Sequence, residues 1–113
     1  MNLKNIHNVY FVGIGGIGMS ALARYFKFDG KNVAGYDKTK TELTNALETL
    51  GIQVSTNDNI ADVSSEYLNK EHTILIYTPA VPNSHSELTY FRENGFNIYK
   101  RAEVLGLITK DTF

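Results

Sequence analysis

The segment with the strongest constraint on the fold is residues 9–20, where a short apolar run ends at a cluster of glycines. Val-Tyr-Phe-Val at positions 9–12 is followed by Gly13-x-Gly15-x-x-Gly18, and a helical pattern starts directly after the cluster. This order predicts a buried strand, a tight turn and a helix. Turns of this kind bind phosphate, because small residues let an anion reach the free N–H groups at the helix start. A turn that merely connects two elements is the alternative, and the motif does not name a ligand.

Within that turn, each glycine has an expected purpose. Gly13 permits the tight turn, Gly15 and Gly16 let a phosphate approach the backbone, and Gly18 is expected to let the helix pack closely on the strand.

The composition restricts the class of protein. A chain of 113 residues corresponds to one domain, and a net charge of -1 without a basic run offers no surface for nucleic acid or membrane. The chain has no cysteine, which excludes disulfides and thiolate metal sites. No stretch is long enough to span a membrane, and residues 1–4 lead directly into the first strand, so we expect a cytoplasmic protein without a signal peptide.

Strand and helix patterns alternate along the rest of the chain. Strands are predicted at residues 9–12, 32–36, 52–54, 73–77 and 96–99. Helices are predicted at residues 16–28, 64–68 and 102–108, with two more that begin at capping boxes. The α/β alternation predicts a Rossmann-like open parallel sheet of about five strands with helices on both faces.

Two capping boxes set the expected starts of the second and fourth helices. The first places Thr39 at the N-cap, with Leu43, Ala46, Leu47 and Leu50 as the buried stripe and Gly51 at the helix end. The second is Ser-His-Ser-Glu at positions 84–87, before a helix that ends at Gly95. The two prolines predict an extended chain over residues 78–82.

Three segments are expected to meet at the carboxyl edge of this sheet, where ligands of such folds bind. They are the glycine turn, the end of the second strand at Asp37, and residues 78–81. Asp37 is suited to accept hydrogen bonds from ribose hydroxyls, although a solvated loop acid is the alternative. Residues 78–81 fit either a base-binding turn or an ordinary connection. Arg101 could pair with a phosphate, but its position alone favours an exposed charge at a helix start.

Other chemistries find little support in the residues. The three histidines are expected at the surface, no nucleophilic arrangement is present, and the chain lacks a G-x-x-x-x-G-K-[ST] loop for ATP.

Several of these segments together resemble the Mur ligases, the ATP-dependent ligases of peptidoglycan synthesis. The resemblance covers essentially the whole chain, in order and spacing. Its motifs are V-G-I-G-G-I-G-M-S at positions 12–20, G-Y-D at 35–37, T-P-A-V at 78–81, Asn83, and R-A-E-V-L at 101–105. The double glycine followed by Met-Ser, together with R-A-E, is much more specific than G-x-G-x-x-G.

The resemblance implies that residues 1–113 form the first of three domains, which binds UDP-N-acetylmuramate through its UDP moiety. It implies that a central domain binds ATP and Mg²⁺, and that the reaction joins L-alanine to the lactyl carboxylate. This domain would then hold no cofactor and no catalytic residue, and would be inactive alone. An oligomeric state is not implied.

The resemblance also implies roles for individual residues. The residues expected around the diphosphate are Gly15, Gly16, Ile17, Gly18, Met19 and Ser20, with Arg101 near the diphosphate or the sugar. Those expected around the uridine are Asp37, Thr78, Pro79 and Ala80.

The chain departs from the family pattern at three places. Tyr36 stands where a small residue is usual, Thr78-Pro79 replaces Ser-Ser, and Ser-Thr-Asn-Asp at positions 55–58 replaces a Gly-His. Two other classes share the glycine turn: an NAD(P)-binding domain of an oxidoreductase and a nucleotide-sensing regulatory module. Within the family, the ligase that recycles murein tripeptide is the alternative.

Overall fold

In the computed structural model, which describes residues 5–82 and 84–111, five strands form one parallel sheet. Its strand order is β3-β2-β1-β4-β5. The strands are β1 (Asn8–Val12), β2 (Asn32–Tyr36), β3 (Gln53–Ser55), β4 (Thr73–Tyr77) and β5 (Asn97–Lys100). The predicted open parallel sheet is therefore confirmed, and its central strands β1 and β4 are the two most apolar runs of the sequence.

Four α-helices cover both faces of the sheet, as predicted. They are α1 (Ile17–Phe28), α2 (Glu42–Thr49), α3 (Ser86–Glu93) and α4 (Arg101–Asp111). One buried cluster joins the sheet to α1, α2 and α4, through Phe26, Leu47 and Val104 among others. A second cluster on the opposite face includes Leu88 and Phe91 of α3. Burial on both faces explains why the central strands are almost wholly apolar.

The register brings three strand ends to one level. Val12 at the end of β1 pairs with Tyr36 of β2 and with Tyr77 of β4. The loops that follow these strands therefore leave the same edge of the sheet side by side.

The start of α2 differs from the prediction. Thr41, not Thr39, is the N-cap, and it exchanges hydrogen bonds with Thr44 in a capping box. The Thr39 N–H instead donates to Asp37 Oδ1 at 3.1 Å. The buried stripe also differs: Thr44 and Leu47 are buried, Leu43 and Leu50 are half-buried, and Ala46 is exposed.

The start of α3 also differs. The N-cap is His85 and not Ser84, and Glu87 is fully buried instead of capping the helix. Glu87 finds partners inside the protein: the Tyr10 hydroxyl donates to Oε1 at 2.8 Å and the Asn59 N–H donates to Oε2 at 3.2 Å. The capping-box prediction was wrong because the Glu87 carboxylate accepts hydrogen bonds from Tyr10 and Asn59, which are distant in the chain.

Smaller differences concern loops and single side chains. Residues 60–70 form two short 3-10 turns, Ile60–Asp62 and Ser65–Leu68, instead of one helix at residues 64–68. The Val81 N–H donates to the Thr78 carbonyl at 3.1 Å, so the chain turns there instead of extending. Leu105, predicted on the apolar side of its helix, is 41% exposed.

The prediction that all three histidines lie at the surface is confirmed for one of them. His7 is exposed, but His72 is half-buried, with its ring stacked on His7 at 4.6 Å, and His85 is buried. Asn83, which contributes to the family resemblance, lies outside the described residues.

The buried Glu87 predicts a pH-dependent stability. Desolvation raises the pKa of its carboxyl to about 7, from 4.5 when unperturbed. The folded chain therefore keeps a proton that the unfolded chain releases, and the free energy of unfolding should fall as pH rises from about 4.5 to about 7. At about 1.4 kcal/mol per pKa unit, the contribution of Glu87 to this loss is on the order of 3 kcal/mol.

Urea unfolding at several pH values measures this loss. Glu87→Gln keeps an acceptor for Tyr10 but cannot ionise, so it should remove most of the slope in this window. Glu93→Gln, an exposed acid at the end of the same helix, should leave the slope unchanged. An unaltered slope in Glu87→Gln would contradict the assignment.

Candidate functional site

A cavity of about 590 Å³ lies at the carboxyl edge of the sheet, where the loops after β1, β2 and β4 meet. Its volume is in the range of small-molecule sites. The lining residues are Gly13, Gly16, Met19, Tyr36, Asp37, Lys38, Asp58, Thr78, Ala80, Val81, Pro82, Ser84 and His85. The three segments expected to converge at this edge therefore do so.

The glycine turn is held against the end of β2. The N–H groups of Gly13 and Ile14 both donate to the Tyr36 carbonyl, at 2.8 and 3.0 Å. Gly13 has φ +93°, and a methyl group there would collide with the Thr78 side chain. The tight turn predicted at Gly13 is confirmed, because both its backbone conformation and its neighbour require glycine.

Helix α1 begins directly at the cavity without a side-chain cap. Gly16 is the N-cap, in an extended conformation, and no acidic residue occupies the first turn. Helix starts normally have a capping oxygen or an acid nearby, because their free N–H groups and the helix dipole favour negative charge. Among the residues that the structure describes, no side chain provides that oxygen. The start of α1 is therefore suited to an external anion.

Arg101 adds a positive charge at the same place. A methyl group on Gly18 would lie 2.9 Å from the Arg101 Nε, so the guanidinium lies directly across Gly18. The prediction that Gly18 lets α1 pack on the strand is therefore corrected: its missing side chain makes room for Arg101. A guanidinium beside a helix N-terminus is unfavourable unless an anion binds between them.

Asp37, which follows β2, stabilises the glycine turn. Its Oδ2 accepts from the Gly15 N–H at 2.8 Å, and its Oδ1 accepts from Thr39. A methyl group on Gly15 would lie 2.8 Å from Oδ2, so Gly15 lets the carboxylate approach. The Gly15 N–H is thus engaged by Asp37. The predicted contact of Asp37 with a ribose stays a prediction.

The other predicted residues have different positions. Met19, Thr78 and Ala80 line the cavity. Ile17 is 82% exposed beside it. Ser20 is fully buried, and its hydroxyl donates to the Ile17 carbonyl at 3.1 Å.

Pro79 is exposed and is not among the lining residues. Any role for Pro79 or for the buried Ser20 hydroxyl at a ligand therefore stays a prediction.

Sequence reasoning missed five lining residues: Lys38, Asp58, Pro82, Ser84 and His85. Asp58 follows β3 and accepts from the N–H groups of Ser86 (2.7 Å) and Glu87 (2.9 Å) at the start of α3. The rule used for Asp37 would have found Asp58, since β3 ends at the same edge.

Tyr36 contacts both His85 and the glycine turn. Its ring meets that of His85 edge to face, with the centroids 4.5 Å apart. Burial, and after it the negative charge of Asp58, raise the pKa of the Tyr36 hydroxyl. The Tyr36 hydroxyl therefore stays neutral.

The fold and the site together define an α/β domain with a parallel sheet, a glycine turn and an uncapped helix start beside an arginine, an arrangement typical of phosphate-binding sites. Residues 8–112 match the family described as Mur ligase family, catalytic domain. The chain therefore belongs to the Mur ligase family.

Individual relatives agree with this assignment. The chain is 63% identical, over its whole length, to the UDP-N-acetylmuramate–L-alanine ligase of Flavobacterium psychrophilum, and covers 25% of it. Its fold is similar to that of the UDP-N-acetylmuramate-alanine ligase of Thermotoga maritima, with a TM-score of 0.80 and 30% identity. That match covers 92% of this chain and 23% of the other.

A third relative shares the fold. The UDP-N-acetylmuramate:L-alanyl-gamma-D-glutamyl-meso-diaminopimelate ligase of Neisseria meningitides has a TM-score of 0.71 at 23% identity, over 85% of this chain and 29% of the other. The chain thus spans about a quarter of the length of the curated relatives that it matches.

Membrane-spanning helices and metal-binding clusters are both absent from the described residues. None of their helices is long and apolar enough to cross a membrane. Within the same residues, no group of three or more acidic or histidine side chains is placed to hold a metal ion.

Proposed function

We propose that residues 1–113 form the UDP-N-acetylmuramate-binding domain of an ATP-dependent ligase that adds L-alanine to this sugar nucleotide. The names of the relatives support the substrate, and the identity of 63% over the whole chain supports the assignment within the family. The Neisseria ligase is 23% identical to this chain, against 30% for the Thermotoga ligase. This lower identity disfavours the alternative within the family.

The observation that carries the proposal is the uncapped start of α1 beside Arg101. Backbone N–H groups from Gly16 to Met19 face the diphosphate in this proposal, and Arg101 binds it from the side of Gly18. A diphosphate bound there neutralises both the guanidinium and the helix dipole. Asp37 with Thr78, Pro79 and Ala80 then surrounds the uridine.

In this proposal the domain acts by positioning. It anchors the nucleotide, which is remote from the lactyl carboxylate that reacts, and so converts binding free energy into orientation. No residue of the described chain takes part in bond making.

ATP and Mg²⁺, which the family uses, do not fit the residues of this chain. The sequence has no phosphate-binding G-K-[ST] loop, and the described residues offer no metal cluster. We therefore assign both to other parts of a longer ligase. A cytoplasmic location stays a prediction.

Calorimetric titration tests the proposal. The 113-residue chain should bind UDP-N-acetylmuramate at least about tenfold more tightly than NADH, a difference of about 1.4 kcal/mol. It should show no ligation when ATP, Mg²⁺ and L-alanine are added. Tight binding of NADH without binding of the UDP-sugar would instead favour an oxidoreductase domain, and turnover by this chain would overturn the positioning role.

A further inference from the structure

His85 carries the one buried side-chain nitrogen or oxygen, among those that the structure describes, without a hydrogen-bond partner. This atom is Nε2, on a side chain that is 5% exposed and lines the cavity. Buried polar atoms in native proteins are nearly always partnered. An unpartnered nitrogen on a side chain that lines the cavity therefore points to a group that a ligand would supply.

The other ring nitrogen determines what Nε2 offers. Nδ1 lies 3.1 Å from Asp58 Oδ1 and 3.4 Å from the Leu88 backbone nitrogen. A carboxylate can only accept, so the shorter contact makes Nδ1 the protonated nitrogen. Burial lowers the pKa of His85 despite the nearby Asp58. The ring is then neutral, and Nε2 is a bare acceptor.

Neighbouring groups hold the ring in this state and orientation. The carboxylate of Asp58 is itself fixed by the N–H groups of Ser86 and Glu87. The Tyr36 ring packs against the imidazole from the cavity side of β2. With Nδ1 directed at Asp58 and the start of α3, Nε2 lies on the opposite part of the ring, away from the helix.

We propose that His85 Nε2 accepts a hydrogen bond from the imide N–H of the uracil base, so that His85 selects uracil over cytosine. This inference rests on the proposed function, since it takes the ligand to be a uridine nucleotide. Uracil carries a hydrogen on N3, whereas cytosine carries a lone pair there. Two acceptors would then face each other, and cytosine would leave Nε2 without a partner.

Titration of the chain with UDP and with CDP tests this selection. The unchanged chain should bind UDP about 10- to 100-fold more tightly than CDP, as expected for one buried acceptor left unpaired. In His85→Asn the shorter amide can still donate to Asp58 but cannot reach the position of Nε2, so the ratio should fall to about threefold or less. His85→Gln, whose amide extends to that position, should keep part of the selection.

A second measurement does not depend on a variant. The ¹⁵N resonance of Nε2 in the unchanged chain should move when UDP binds, because a lone pair becomes a hydrogen-bond acceptor, and should stay in place when pyrophosphate binds.

Three outcomes separate the two proposals. Equal binding of UDP and CDP by the unchanged chain overturns the role of His85 and leaves the proposed function standing. A His85→Asn variant that keeps the full ratio of UDP to CDP affinity has the same meaning, provided that an unchanged thermal midpoint shows it to be folded. If the unchanged chain binds neither UDP nor pyrophosphate, the proposed function fails, and the inference fails with it.

Discussion

Replacing Gly16 with aspartate is expected to abolish measurable binding of UDP while leaving the domain folded. Gly16 is the N-cap of α1, with φ -67° and ψ 156°. A side chain there meets only Met19, with the nearest atom at 3.9 Å. Aspartate is a preferred N-cap residue, so the stability should be unchanged or slightly higher.

The loss of binding follows from charge. The new carboxylate would occupy the place in which we expect the diphosphate, and it would accept the N–H groups that the phosphate needs. Like charges in contact cost several kcal/mol, which corresponds to a loss of at least about 100-fold in affinity. Calorimetry with UDP and with pyrophosphate measures it.

Two further variants at the same position separate charge from size. Gly16→Asn has nearly the same shape without the charge and should lose far less affinity than aspartate. Gly16→Ala should bind within a few-fold of the unchanged chain. If Gly16→Asp keeps its affinity, the glycine turn is not the anion site.

The largest effect on stability is expected from Gly35→Ala, in the middle of the contact between β1 and β2. A methyl group on Gly35 would lie 2.7 Å from the Phe11 carbonyl oxygen and 2.8 Å from Ile14 Cδ1. The Phe11 carbonyl belongs to the central strand and cannot move without disturbing its neighbours. Overpacking of this kind costs about 1–3 kcal/mol, and the backbone contact places Gly35 at the upper end.

The same change should weaken ligand binding, because Tyr36 follows Gly35 and its carbonyl holds the glycine turn. Urea unfolding measures the loss of stability. Gly106→Ala is the matched control: the same methyl group in α4 meets nothing within 4 Å. Helical alanine is favoured over glycine by up to about 1 kcal/mol, so this control should be neutral or stabilising. A Gly35→Ala variant with the urea midpoint of the unchanged chain would contradict the close contact.

Most of the fold could be predicted because its signals are local. The strands at Asn32–Tyr36 and Thr73–Tyr77 have the predicted bounds, and Gly51, with φ +88°, follows the end of α2 as expected. Apolar periodicity and glycine conformations act over a few residues, so they can be read without knowing the partners.

Capping residues were harder to predict, because several oxygens compete for each helix start. Thr39 and Thr41 both precede α2, and the choice of Thr41 follows from the bond that draws the Thr39 N–H to Asp37. His85 became the cap of α3 while Asp58, from a distant loop, supplied the carboxylate. The second competition cannot be settled from residues adjacent in the chain, because Asp58 lies 27 positions before His85.

The candidate site likewise combines features that the local sequence specifies with contacts that only the fold creates. The sequence by itself determined the strand, the glycine turn and the helix start, since backbone sterics and the missing side chains specify them locally. The tertiary structure alone decided that Arg101 lies across Gly18, that Asp37 takes the Gly15 N–H, and that His85 is buried against Asp58. Those contacts join residues far apart in the chain, and they depend on which strand ends the parallel sheet brings to one edge.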